Sequence, residues 1–270
     1  MQLATYLDHS YRVERLVAEL RSDLTRPVSL GEMGEIATMS PFHLNRVVRE
    51  ITGLPPVALH GAFRLQEAKR LLLTTDASVT DACFAVGFSS LGSFSSRFTA
   101  QVGATPSDFK RSPAVVDGYA DQLMAMIAGR PHLALMGGVT GEIVGEELES
   151  GLIFVGIYPS AVARGYPVCG EVLQRPGRFL IPHVPDGTWT ALVACVTSAG
   201  ASTDWVMPDN EPWVGVGGPV TVVNGRATTE AVVHLRRRST IESPVLFSPL
   251  ATPRILGVVR DRMARLMSSG

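Results

Sequence analysis

Only three cysteines occur in the 270 residues, Cys83, Cys169 and Cys195, and none forms a Cys-x-x-Cys pair. An odd count without a framework excludes a disulfide scaffold and suits a reducing, cytoplasmic setting. No apolar run approaches the ~18–20 residues of a membrane span, so no membrane partner is expected. The opening MQLATYLDHSYRVERL lacks an apolar core with a basic flank, which speaks against a secretory signal. Also missing are GxSxG, HExxH, a Walker loop and a GxGxxG that opens a helix. Cys169, His183, Cys195 and His234 have no ligand spacing for zinc. No catalytic residue, metal or cofactor is therefore assigned, and the chain is not expected to be an enzyme.

An excess of one charge is lacking too: 24 Lys/Arg stand against 25 Asp/Glu, net −1. The charges are unevenly spread. Residues 1–112 carry net +1, residues 133–235 net −6 and residues 236–270 net +5. The acidic middle would repel a polyanion, whereas the two ends would not.

What is present changes character near residue 113. Before it, helix signals dominate. Val13, Leu16, Val17, Leu20 and Leu24 form one stripe over about 11–24. Ser29 and Glu32 make a capping box before Met33 and Ile36. Ser40-Pro41 starts a helix to about Ile51, Gly53 ends it, and Pro55-Pro56 opens the longest helix, about 56–73. Ser78 and Asp81 repeat the capping pattern before a short helix that ends at Gly87. Phe94 and Phe98 at i, i+4 mark another over about 90–101, and Thr105-Pro106 begins a last one. Two helix–short turn–helix units, about 30–51 and 79–101, thus flank one connecting helix. That is the layout of paired helix-turn-helix motifs.

After residue 113 comes a connector, 113–132, with a short apolar stripe. From 133 to 238 the pattern is extended, with strands predicted at 135–141, 151–158, 168–173, 178–184, 188–197, 218–223 and 227–236. Val184-Pro-Asp-Gly187 reads as a turn and Asn224-Gly225 as a hairpin. Seven short strands in about 100 residues predict an antiparallel β-sandwich. In the tail, 239–270, Ile255, Leu256, Val259, Met263 and Leu266 share one face of a predicted helix, 253–267. The expected fold is therefore multidomain, α then β: an all-α paired helix-turn-helix domain at 1–112, a linker helix, a β-sandwich and a C-terminal helix.

The segments RLQEAKRLLL, VGFSSLGSFSSRF and GATPSDFKR lie in an order and spacing that resembles the DNA-binding region of AraC/XylS-type transcriptional regulators, over about 29–111. The resemblance implies a seven-helix unit whose connecting helix holds two recognition helices roughly one DNA turn (about 34 Å) apart. Its partner would be double-stranded DNA. Phe42, Asn45 and Arg46 fall on positions that face bases in the family, and their chemistry suits thymine methyl, adenine and guanine in turn. Helix packing is the alternative for Phe42, and solvated charge or phosphate contact for the other two. In the second recognition helix the matching positions are Leu91, Gly92, Ser93 and Ser96, none with a long bidentate side chain. Many relatives carry arginine where Ser96 stands; here it is displaced to Arg97. One residue is about 100° around a helix, so Arg97 points to phosphate instead. Arg49, Lys110 and Arg111 are further phosphate candidates. The second motif is thus expected to supply affinity and shape readout more than hydrogen-bonded readout.

In many relatives the sensor precedes the DNA-binding unit, whereas here that unit comes first. GRFLIPHVPDGTWTALVACV and PVTVVNGRATTEAVVHLRR look like carboxypeptidase-regulatory or transthyretin-like β-sandwiches, which informs fold and not function. Trp205 and Trp213, in a predicted loop at 199–217, are candidates for an effector site, with simple packing of the loop as the alternative. Several readings stay open for the β region: sensing a small-molecule effector, a protein contact or assembly, or an enzyme fused to a DNA-binding domain. A homodimer through the tail helix and a contact with RNA polymerase are further expectations.

Overall fold

The computed structural model describes residues 3–114, 138–145, 152–163, 165–196 and 213–248. Its helices are α1 (Leu3–Ser22), α2 (Leu30–Ala37), α3 (Pro41–Thr52), α4 (Pro56–Thr74), α5 (Val79–Ala85) and α6 (Leu91–Val102). A further helix, α7, spans 106–114. The first helix begins eight residues earlier than its apolar stripe predicts, and Val13, Leu16, Val17 and Leu20 are all buried. Each such side chain contributes about 1.5–3 kcal/mol when taken from water.

The caps form as the sequence predicts. Ser29 Oγ accepts from the Glu32 amide at 3.2 Å while Glu32 accepts from the Ser29 amide at 2.8 Å. Ser78 and Asp81 repeat this at the start of α5, with distances of 3.1 and 3.0 Å. Each pair satisfies two amides that the first turn leaves orphaned. The far end of α2 is satisfied from another helix. Arg12 Nη1 of α1 donates to the Thr38 carbonyl at 2.8 Å, and Arg15 donates to the Ile36 carbonyl. Positive charge at a helix C-terminus is also favoured by the helix dipole.

The β region holds two sheets. The strands are β1 (Val139–Val144), β2 (Leu152–Tyr158), β3 (Cys169–Leu173), β4 (Gly177–Ile181), β5 (Gly187–Val196), β6 (Trp213–Val223), β7 (Arg226–Ala227), β8 (Ala231–His234) and β9 (Arg236–Arg237). One sheet runs β4-β1-β8, the other β3-β2-β5-β6-β7 with β9 also on β6. Val139, Ile143, Phe179, Ile181 and Val233 of the first share one apolar core with Ile153, Ile157, Ala191, Val193 and Val222 of the second. β6 lies against β8: a Cβ at Gly215 or Gly217 would come within 3.0 Å of the carbonyls of His234 or Val232. Bare glycines allow that approach, and the sheet curls there like part of a barrel.

Several expectations change. The predicted strand at 227–236 is three short pieces serving different partners, β7 and β9 on β6 and β8 on β1. The Thr228 amide still donates to the Thr221 carbonyl of β6 at 2.8 Å, and the chain then leaves for β1 at Ala231. Alternating apolar residues record burial, and a strand that changes sheet keeps its alternation. The expected all-antiparallel pairing fails at β1 and β8, which run parallel from Gly141 with Ala231 to Val144 with His234. Of the strand expected at 135–141, residues 139–141 fall in β1, which runs on to Val144, while 135–137 lie outside the described residues. The Asn224-Gly225 hairpin forms, with both residues at positive φ (51° and 73°), joining Val223 to Arg226. The predicted tail helix, 253–267, and residues 115–132 of the connector lie outside the described residues.

By contacts the chain divides into two compact units, Met1–Arg97 with Ser239–Leu246, and Phe98–Arg238 with Phe247–Gly270. The short segment after the last strand, expected to belong with the tail, therefore packs with the helices.

Candidate nucleic-acid interface

α3 is built to show one face. Ser40 caps it, with its Oγ accepting from the His43 amide at 3.3 Å, and Pro41 occupies the first turn. Gly53 closes it in a left-handed conformation, φ 81°. Leu44, Val47 and Val48 are buried. At about 100° per residue, Phe42, Asn45, Arg46 and Arg49 fall on the opposite side. Phe42 is 86% exposed, Arg46 and Arg49 are exposed and Asn45 is half-buried. Arg46 Nη1 rests 3.3 Å from Glu50 Oε2, one turn along. An exposed pair of this kind is worth only about 0–1 kcal/mol, so the guanidinium can leave it for a base edge at little cost. Beside this stripe, His43 meets His9 of α1, with Nε2 to Nε2 at 3.3 Å, one ring donating and the other accepting.

α6 opens at Ser90, whose Oγ accepts from the Ser93 amide at 3.3 Å. Phe94, Phe98 and Val102 are buried, and Phe94 meets Phe88 edge-to-face at 5.2 Å. Leu91, Gly92, Ser93, Ser96 and Arg97 are all exposed. On the helical wheel Ser96 points straight away from the buried phenylalanines, Ser93 stands about 60° to one side and Arg97 is turned further, toward the flank. In α7, Lys110 is half-buried and exposed Arg111 pairs with Asp108 at 2.6 Å.

The helix between the motifs holds a residue that sequence reading left without a role. Arg64 of α4 donates from Nε to the Leu24 carbonyl (2.7 Å), from Nη1 to Gly87 (3.3 Å), and from Nη2 to Arg26 (3.0 Å) and Thr25 (3.4 Å). One guanidinium thus joins the end of α1, the middle of α4 and the turn after α5. Its signal was its place in RLQEAKRLLL, but a lone arginine on a helix reads as solvated charge. Burial lowers its pKa below the ordinary arginine range, with Asp23 raising it and Arg97 lowering it by smaller amounts. About one turn earlier in α4 stands His60, whose burial and proximity to Arg64 pull its pKa from 6.5 down to about 4. His60 is therefore neutral near pH 7.

Of the two tryptophans expected on a loop, one is placed differently. Trp213 opens strand β6, is only 7% exposed and lies under the Arg237 guanidinium, 4.8 Å from its ring centre. The strand starts five residues earlier than predicted because Gly215 and Gly217 continue it, where glycine suggested a loop. Trp205 lies outside the described residues. Cys83 and Cys195 are buried in core, and burial pushes the Cys195 thiol up to about 12. Among the described residues, no three His, Cys, Asp or Glu converge as metal ligands, and no helix is long and apolar enough to cross a membrane.

Two capped helices that each follow a short turn and expose a polar face are a helix-turn-helix pair. Residues 33–112 match a family model described as "Helix-turn-helix domain". The chain is 31% identical over 112 residues to the HTH-type transcriptional activator AarP of Providencia stuartii, covering 42% of this chain and 81% of AarP. It belongs to the AraC family of transcriptional regulators. AraC-type helix-turn-helix regions bind DNA, and this one occupies the N-terminal part of the chain. The HTH-type transcriptional regulator GlxA of Rhizobium meliloti is 31% identical over 96 residues, 36% of this chain and 30% of GlxA. GlxA is therefore matched over less than a third of its length. Among solved structures, the DNA-binding domain of AdpA in complex with a target DNA is 25% identical, covers 41% of this chain and 94% of that one, and has a TM-score of 0.35. The shared residues in all three cases amount to less than half of this AraC-family chain.

Proposed function

We propose that this protein recognises a specific DNA site by laying α3 and α6 in successive major grooves, with α3 reading bases and α6 contributing affinity and shape readout. The observation that carries this reading is the stripe on α3. A phenylalanine left 86% exposed stands in line with Asn45, Arg46 and Arg49 on the face opposite the buried Leu44, Val47 and Val48. Leaving that ring in water forgoes about 1.5–3 kcal/mol of burial, which contact with a thymine methyl would recover. On α6 the exposed side chains are short, and Arg97 stands off the outward line, which supports a phosphate role with Arg49, Lys110 and Arg111.

The β region is the candidate for effector sensing or for protein contacts, including self-association and contact with RNA polymerase. AarP is named an activator, which supports the last of these as one arrangement for this chain. A dimer would raise avidity without new base contacts. The fold proposed for this region is a transthyretin-like sandwich.

The test is selection of bound sites from a random duplex library with the full chain, followed by footprinting of the recovered site. Protection of two major-groove segments about one helical turn apart is expected. Recovery of unselected sequence, or one protected segment only, would overturn the paired reading.

A further inference from the structure

α4 carries a lysine where its other buried positions are mostly apolar. Lys69 is fully buried, one position from Ala68 and three from Leu72, which are buried too. Its Nζ donates to the Leu246 carbonyl at 3.0 Å and to the Val245 carbonyl at 3.4 Å. A buried ammonium is tolerated only when it is well hydrogen-bonded. Both of these acceptors come from a segment more than 170 residues later in the chain, the strip Ser239–Leu246 that packs with the helices. Pro244 and Leu246 of that strip are buried.

The same strip reaches the first recognition helix. The Ser243 amide donates to the Thr52 carbonyl at 3.3 Å, and Thr52 is the last residue of α3. Carbonyls at a helix end have no partner within the helix and need one from outside. Thr52 is itself buried, with its Oγ1 donating to the Val48 carbonyl at 2.8 Å, so this end of α3 is not open to water. The strip follows β9 (Arg236–Arg237) directly in the chain.

We infer that Ser239–Leu246 is a strap that holds the end of α3 to α4, through Ser243 on Thr52 and Lys69 on Val245 and Leu246, so that the β region controls DNA reading by holding or releasing it. The inference rests on the reading of α3 as a recognition helix. With the strap docked, α3 is fixed at its C-terminal end while its N-terminal end presents Phe42. With the strap withdrawn, the Lys69 ammonium loses the Val245 and Leu246 carbonyls and the Thr52 carbonyl loses the Ser243 amide, and α3 no longer keeps its orientation on α4. The strap needs no ligand contact of its own, because a pull along the chain from β9 is sufficient. Burial pulls the Lys69 pKa down to about 7, the direction expected of an ammonium withdrawn from water.

The test uses the full chain with Lys69→Met, which keeps an unbranched apolar stem, and separately with Ser243→Pro, which removes the donating amide from the strap side. Hydrogen exchange of the 239–246 amides is measured beside binding to the selected DNA site. Strap amides protected in the parent chain should exchange about tenfold faster or more in either variant, while those of α1 keep their protection. Affinity should fall about fivefold or more in each, and the double variant should lose less than the two losses combined, because both act on one latch. Parent strap amides that exchange like those of an unfolded peptide would overturn the strap. So would loosened strap amides with unchanged affinity. Should Lys69→Met unfold, Ser243→Pro decides alone. A parent chain that shows no preference for any sequence would instead overturn the recognition reading, and exchange in the variants would then judge the strap by itself.

Discussion

Arg64 Nε lies 2.7 Å from the carbonyl oxygen of Leu24, forty residues earlier in the chain. The remaining nitrogens of the same guanidinium serve Thr25, Arg26 and Gly87. Three of these carbonyls lie in the segment between α1 and α2 and the fourth in the turn after α5, so one side chain of the connecting helix ties both connections to α4.

Arg64→Ala should therefore destabilise the helical unit by about 2–4 kcal/mol, since hydrogen bonds from a charged donor contribute ~1.5–3 kcal/mol each and do not add when they share one donor. Arg64→Lys should recover only part, because an ammonium cannot span four carbonyls as a planar fork does. Urea unfolding followed by circular dichroism measures both. A fully stable lysine variant would show that charge alone is required.

Phe42→Ala and Arg46→Ala should each leave stability within about 0.5 kcal/mol, being exposed, yet lower affinity for the selected site. Arg46→Ala should cost about 1–3 kcal/mol of binding and relax preference at one or two base pairs. Arg97→Ala should weaken specific and random DNA alike and flatten the salt dependence. Competition against a library of point-mutated sites separates these outcomes. A shift of base preference by Arg97→Ala without one by Arg46→Ala would reverse the roles of α3 and α6.

Thr38, at the turn between α2 and α3, has φ 54° and ψ 47°, a left-handed conformation that crowds a β-branched side chain. Its Oγ1 accepts from Arg15 at 2.8 Å, an exposed bond that offsets a fraction of the strain. Thr38→Gly should raise stability by about 0.5–1 kcal/mol, with the backbone contacts from Arg12 and Arg15 retained. A lower melting temperature for this variant would show that the Oγ1 bond outweighs the strain.

Two buried groups should give the helical unit pH slopes of the same sign in separate windows, stability rising with pH through each. Between pH 6.5 and about 4 the unfolded chain takes up a proton at His60 that the folded chain refuses, so stability falls as pH drops through that window. Between about 7 and 10.5 the unfolded chain keeps a proton at Lys69 that the folded chain has released, so stability rises with pH there. His60→Leu should flatten the acid slope and Lys69→Met the alkaline one, each read as a difference from the parent in urea midpoints across its window. A His60→Leu chain with the parent's acid slope would assign that slope to other groups.

The helices, their caps and the exposed stripe of α3 were legible in the sequence because each depends on residues within a few positions of one another. Ser29 needs only Glu32, and Phe42 needs only the burial pattern of Leu44, Val47 and Val48. The Asn224-Gly225 hairpin is local in the same sense. The tertiary structure alone decided that β8 runs parallel to β1, that Trp213 belongs to a strand core and that Arg64 and Lys69 serve distant carbonyls. A strand's alternation states which face is buried without stating the partner, and a charged side chain on a helix carries no sign of the acceptor it will meet. Those choices are made by backbone groups far along the chain, which only packing brings within hydrogen-bond reach.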